Sequence, residues 1–494
     1  MNATSFFSRA LVAIVSLLLI AGLAMGQNVN LNGSGGTLTG TYNIKGNINT
    51  TTATGAYTYS GTVNLNGTGT TLVQTIASGG GTFATKALVF ANLNAGGGAT
   101  SKTFAQGGIV TVSTAFVLNA GGTGGNYVVG GNTLNFGGSV TSTAGTFDAS
   151  STSSVVNYTS GSAQAVFAST YGGTLGLSGA GAKTLGGDVT AAIVSHTAAS
   201  GALTVNNNLT INGTSASSLD AITVSSAKTL GVTNTGGLTI TTLTANNGGT
   251  IQKTTTAGTI TFSNNVVTAG TITASAGTLT FSGTADAAAG GTISLSGAAT
   301  ANFAKDLTKS AGTLSFGGTS TANFTGTLAQ SIQAPVSFYN ANMSGGGAKT
   351  FTGAAQTITV SAGGTFANAD QTTDFGTNVL SYAGATVSQT TGTVKFGGAS
   401  NGVIFALGTV EYNGAGQTIK GDASNTYTNL VLSGTGTKSV LTGAAGTVHT
   451  LGSLTVSDLI TLDVAGSGFV TVEGDLNVNG SGTITNAGTV TVGL

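Results

Sequence analysis

The chain has 494 residues, only 5% of them charged, and its 13 basic and 13 acidic side chains cancel to a formal net charge of zero. That balance excludes a nucleic-acid partner, because such binding is driven by Lys and Arg neutralising phosphates. With 82 glycines, one proline (Pro335), no cysteine and no tryptophan, the chain is neither a collagen, nor a disulfide-stapled scaffold, nor a Cys/His zinc domain.

The first element is a targeting segment. Arg9 and the amino terminus form a weakly basic start, Leu11 to Ala24 is apolar, and Ala24-Met25-Gly26 places small residues where a signal peptidase reads. Residues 1–26 therefore read as a signal peptide, with the mature chain starting at Gln27. The apolar run falls short of the roughly 20 residues of a span, so no membrane span is expected after signal removal. Arg9 is the only arginine, so the mature chain has none. The leader implies export, so a secreted or extracellular location is expected.

Next comes internal repetition. "SGAGAKTL" (178–185) recurs as "SGGGAKTF" (344–351), "SGTGTKSV" (433–440) and, more loosely, "AGGGATSKTF" (95–104). Ahead of the first three stand "VNYTSGSAQAV" (156–166), "ANFTGTLAQSI" (322–332) and "VEYNGAGQTI" (410–419), then Tyr171, Tyr339 or Tyr427. In the loose copy Leu65 replaces the aromatic. Gln74, Gln164, Gln330 and Gln417 mark a period of about 85–90 residues, with a degenerate unit near residue 250. The Gly-rich octet imitates a phosphate loop, which needs Gly directly before Lys and a helix after it. Here Ala182, Ala348 or Thr437 intervenes and strand-like sequence follows, so no nucleotide cofactor is expected. Lys183 is read as a solvated residue flanking a turn.

A shorter rhythm runs between the long units. "GTITF" (258), "GTITA" (270), "GTLTF" (277), "GTISL" (291) and "GTLSF" (312) each give Gly followed by polar/apolar alternation, the pattern of a half-buried strand. Asn-Gly pairs at 32, 66, 212, 401, 413 and 479 signal turns. No helical periodicity follows the signal peptide. The expected fold is all-β: a right-handed parallel β-helix, or β-solenoid, with coils of roughly 20 residues and about 23 coils in all. It would run continuously over 27–494, with long repeats at about 62–104, 156–188, 322–353 and 410–443. Tandem small β-sandwiches are the alternative, though Pro-rich or charged linkers between them are missing.

The repeat of aromatic, Gly-rich turn, Gln-aliphatic, Tyr and Ser-Gly-x-Gly-x-Lys resembles that of large secreted bacterial surface proteins, the filamentous-haemagglutinin-type adhesins and autotransporter passengers. Residues 156–188, 322–353 and 410–443 carry the resemblance, with a weak copy at 62–104. It implies a parallel β-helix serving as a surface stalk or adhesive module, touching cell surfaces, extracellular matrix or polysaccharide. It brings no catalytic residue with it. Both the start at Gln27 and the closing "GTITNAGTVTVGL" are strand-like and uncapped, so end-to-end self-association is expected as well.

Candidate chemistry is sparse. His196 and His449 stand without an acidic neighbour in sequence, and the nearest carboxylate groupings are Asp370 with Asp374, Asp458 with Asp463, and Glu473 with Asp475. The last two would share a strand face and bind Ca²⁺ weakly, although a solvated pair is the simpler expectation. "GGTGGN" (121–126) has Asn126 where a Ca²⁺-binding repeat needs Asp. No catalytic, cofactor or metal residue is assigned, and enzymatic activity is not expected. Thr-x-Thr pairs (37/39, 239/241, 259/261, 271/273, 278/280, 357/359, 483/485, 489/491) each put two hydroxyls on one strand face. They raise an ice-binding alternative, against which their irregular spacing counts. A divergent polysaccharide-active β-helix enzyme is the third alternative.

Overall fold

A coil that turns on glycine and alternates polar with apolar residues can close on itself only by sending every second side chain inward. The structure, a computed structural model, describes residues 29–30, 36–44, 48–49, 57–65, 72–78, 87–96, 102–119, 126–197, 200–245, 248–369, 371–398, 407–421, 426–440 and 447–493. The signal-peptide residues 1–26 lie outside them. Among the described residues there is no helix; parallel strands stack in coils about 21 residues apart, forming a β-solenoid of about 18 turns. Parallel stacking rules out the tandem sandwiches, whose strands would pair antiparallel through hairpins. The turns are fewer than the sequence suggested partly because some corners are long: Tyr57 stacks directly on Leu88.

The chain divides into two compact units, Met1–Thr241 and Thr242–Leu494. In the second, the strands Thr259–Phe262, Thr278–Phe281 and Thr300–Phe303 and the end of Thr313–Phe324 stack in register, Thr on Thr and Phe on Phe. The inward rings of Phe262, Phe281, Phe303 and Phe324 follow one another at 4.9, 5.1 and 5.3 Å in near-parallel stacks. Ile251, Ile272, Ile293 and Leu314 line a neighbouring column and are buried. In the first unit Phe136, Tyr158, Leu177 and His196 occupy one column of stacked positions. Identical residues stack because each inward position meets the same environment one coil above and below.

Outward positions repeat as well. Asn323 donates to the Asn302 side chain at 2.9 Å and Asn342 to that of Asn323 at 2.8 Å; Asn64 on Asn43 and Asn157 on Asn135 do the same in the first unit. These amides extend the backbone ladder to the side chains. Of the Asn-Gly pairs, Asn212-Gly213, Asn413-Gly414 and Asn479-Gly480 lie at corners between strands, and the other three fall outside the described residues.

The glycine opening each Ser-Gly-x-Gly corner has one conformational duty in all three good copies. Gly179, Gly345 and Gly434 have φ of 77°, 87° and 83°, and a Cβ there would meet the carbonyl oxygens of Thr159, Thr325 and Asn413 at 2.3, 2.2 and 2.1 Å. Left-handed backbone and a neighbouring coil at contact distance both demand Gly. Gly345→Ala is expected to lower stability by at least about 2 kcal/mol, read as a fall in the urea midpoint; an unchanged midpoint would remove this account of the repeat's glycines.

Candidate functional site

The repeat singles out Gln, Lys and Tyr, and the structure brings the Gln and the Lys together at one corner in each of the three good copies. Gln164 stacks on Lys183, Gln330 on Lys349 and Gln417 on Lys438. Each pair points inward and is buried. The Gln330 amide donates to the carbonyls of Phe303 (3.0 Å) and Lys305 (2.7 Å) in the preceding coil, and its oxygen accepts from the Gly326 N–H at 2.9 Å. Lys349 Nζ donates to the carbonyls of Gly326 and Gly347 at 2.8 and 2.7 Å. Gln164 bonds Phe136 O, Gly138 O and Ser160 N, while Lys183 reaches Ser160 O and Gly181 O. Gln417 bonds Phe396 O, Gly398 O and Gly414 N; Lys438 donates to Gly414 O and, at 2.7 Å, to Gln417 Oε1. A tight Gly corner leaves carbonyls without ladder partners, and buried polar backbone must be paired. The amide and ammonium supply the missing donors.

Lys183 therefore is not the solvated turn residue the sequence suggested. It sits two residues before the buried Leu185 in the strand Lys183–Leu185, on the same inward phase. The Gly-rich corner is a turn, as read, but its lysine faces the core. Lys253, near the degenerate unit, is buried in the same manner and donates to the Ala257 carbonyl at 2.7 Å and to the Thr255 hydroxyl. Gln106 and Gln389 also brace corners, through the carbonyls of Gly108 and Thr133 and of Gly392 and Thr409 respectively. None of these three was singled out from sequence; inward parity was the available signal. The Gln74 side chain lies outside the described residues.

Tyrosines complete two of the corners. Tyr158 and Tyr171 share a 2.9 Å hydroxyl contact and bracket the backbone of Phe167, one accepting its N–H and the other donating to its carbonyl. Tyr412 and Tyr427 bracket Lys420 in the same way. In the middle copy the inner residues are Phe324 and Phe338, edge to face at 5.9 Å, and Tyr339 is turned outward beside a register shift. Tyr339 is thus not the counterpart of Tyr171 and Tyr427. There the strand runs on, and the Ala334 N–H finds the Thr352 carbonyl instead, so no hydroxyl is required.

The remaining candidates serve coil-to-coil bonding. His196 is buried; its Nδ1 accepts the Asp220 N–H, which leaves Nε2 to donate to the Gly201 carbonyl, and burial lowers its pKa. His449 is not without an acid: Glu473, one coil on, meets its Nε2 at 2.8 Å. Glu473 and Asp475 lie in a bend rather than on a shared strand face, which removes the geometry proposed for Ca²⁺. Asp458 accepts from the Ser481 N–H and hydroxyl, which hold its carboxyl below the usual range, and Asp463 accepts from Thr485. Asp374 accepts from the Gly376 N–H; Asp370 lies outside the described residues, as do residues 121–125 of "GGTGGN". Among the described residues no three His, Asp or Glu side chains come together.

The Thr-x-Thr residues face outward, and those at 259/261, 271/273 and 278/280 join in-register ranks despite their irregular spacing in sequence. Thr259, Thr278, Thr300 and Thr321 form one rank, and Thr250, Thr271, Thr292 and Thr313 another. Corners of unequal length absorb the difference. The companion ranks change identity, however: Thr261 and Thr280 give way to Asn302 and Asn323, and Gln252 and Thr273 to Ser294 and Ser315.

The buried ammoniums give a signed pH prediction. Burial lowers Lys349 and Lys438 from the ordinary 10.5 to about 8. Between those values the unfolded chain binds protons that the folded chain does not, so stability rises with pH across that window. Buried Tyr158, Tyr171, Tyr412 and Tyr427 are pushed the other way, Tyr412 to about 12. Above their ordinary 10.0 the unfolded chain loses protons first and stability falls. Thermal unfolding of the protein should give a maximum in Tm at about pH 9–10, and Lys349→Met combined with Lys438→Met should flatten the rising limb. A flat wild-type profile between pH 8 and 10 would contradict lysines whose charged form is penalised by burial.

Comparison of the chain with protein-family models, with curated proteins and with solved structures finds no match in any of the three.

Proposed function

We propose that the protein is a bacterial structural and adhesive surface element, exported by residues 1–26 and acting without catalysis. The observation that carries this reading is the fate of the repeat's polar residues. Gln164, Gln330 and Gln417 with Lys183, Lys349 and Lys438 are bonded to the protein's own corners, so the repeat encodes self-support. Outward, the stacked Thr, Ser and Asn ranks offer hydroxyls and amides with little charge, a surface suited to neutral polysaccharide or matrix contacts.

The in-register Thr ranks favour ice binding as a second reading, because they remove the spacing objection. Against it, the double rank of threonines breaks on its far side, where Thr261 and Thr280 are followed by Asn302 and Asn323.

One experiment addresses both. The chain expressed in a bacterium with its leader should appear outside the cytoplasm starting at Gln27, be cleaved by protease added to intact cells, and hold those cells on a polysaccharide-coated surface. Purified at micromolar concentration, it should leave ice crystals unfaceted. Retention in the cytoplasm would overturn the surface reading, and faceted crystals with a hysteresis gap would put the Thr ranks first.

A further inference from the structure

Among the described residues of the first unit, one coil step lacks a ladder on one of its sides. From the coil holding Thr133–Phe136 to the coil holding Val155–Tyr158, those two strands pair, and Asn126–Val128 pairs with Thr146–Asp148. The remaining side does not close. Ser139–Ala144 pairs only backward, with Ile109–Asn119, and Gln164–Val166 only forward, with Lys183–Leu185. Gln164 spans the start of this gap, its amide bonding Phe136 O and Gly138 O in place of a ladder. Beyond it the two strands splay and a cleft of about 540 Å³ opens between them.

The cleft is chemically distinct from the outer faces around it. Its floor is Leu118, Val140, Phe147, Val166 and Phe167, all buried apolar residues, with the two phenyl rings stacked at 4.8 Å. Thr141, Ser142 and Thr146 stand exposed at its mouth. No ionisable side chain lines it. The volume falls in the range of small-molecule sites, which combine apolar walls with a few polar groups. A charged ligand would lose its hydration here with no partner to replace it. An added peptide strand would need about 9.6 Å between its two neighbours, twice the ordinary strand spacing. Where the two strands approach within 8 Å at their Cα atoms, an interposed strand does not fit.

We propose that this cleft is a binding site for a small, uncharged, mainly apolar molecule of one or two rings. Its rings lie on the Val140, Phe147 and Phe167 floor, and a polar edge faces the hydroxyls of Thr141, Ser142 and Thr146. This site is independent of the adhesive reading, since none of the residues lining it belongs to the stacked Thr ranks.

The probe is N-phenyl-1-naphthylamine, an uncharged two-part aromatic whose fluorescence rises in apolar surroundings. Titrated into the whole protein it should give a saturable increase with one molecule bound per chain. Ala168→Trp fills the mouth from one side, and Thr146→Asp sets a carboxylate at the rim. Each should weaken binding by about tenfold or more, the second through the desolvation of the new charge. Thr280→Asp, on an outward Thr rank of the second unit, should leave binding unchanged. Unaltered circular dichroism certifies each variant, and the rim carboxylate alone decides the matter if the tryptophan variant does not fold. No saturable signal with the wild-type protein, or equal binding by a folded Thr146→Asp variant, would overturn the proposal.

Discussion

Everything in this fold depends on how a tight glycine corner disposes of its carbonyl oxygens. A strand in a parallel stack satisfies its backbone on both sides, but a corner turns those groups away from the ladder while keeping them inside the molecule. The repeat answers with an amide from one coil and an ammonium from the next, stacked as Gln330 on Lys349 and its equivalents. Burying an ammonium is unfavourable unless acceptors surround it. Here the acceptors are the stranded carbonyls themselves, so each group offsets part of the other's cost. Where the neighbouring ladder reaches far enough, as at Ala334, the repeat drops its tyrosines and uses phenylalanine.

The fold was legible because its signal is local. "GTITF" and its relatives announce both the strand and the inward phase, and no helical period competes with them. The inward Phe column was readable from the same alternation. What sequence reading missed was the meaning of Lys183. Its charge suggested solvent, while its parity with Leu185 pointed to the core, and parity was correct. The rule that lysines stay outside holds only where water is the best available partner. The His449–Glu473 pair was hidden for a different reason: the partners lie 24 residues apart and meet only once the coils are stacked. The same applies to the Thr ranks, whose sequence intervals vary while their spatial step does not.

Stacking also explains why the outer surface is so uniform. A charged side chain repeated on successive coils would meet its own kind at roughly the 4.8 Å strand spacing. Asn and Thr avoid that repulsion, and Asn gains a hydrogen bond at each step. Where charge does occur on neighbouring coils it alternates in sign, as in the 2.9 Å pair of Lys395 with Glu411. Low charge is thus a condition of the architecture as much as a feature of its surface.

The inward lysines have a consequence for proteolysis. Proteases that cut after basic residues need an exposed, flexible Lys or Arg, and beyond Arg9 the chain has no arginine at all. Lys183, Lys253, Lys349 and Lys438 hold their ammoniums in the core, so each could be cut only after its coil had opened. Coils paired above and below open rarely. The residues that close the corners therefore also withdraw from tryptic attack sites that an extended chain of this composition would have offered.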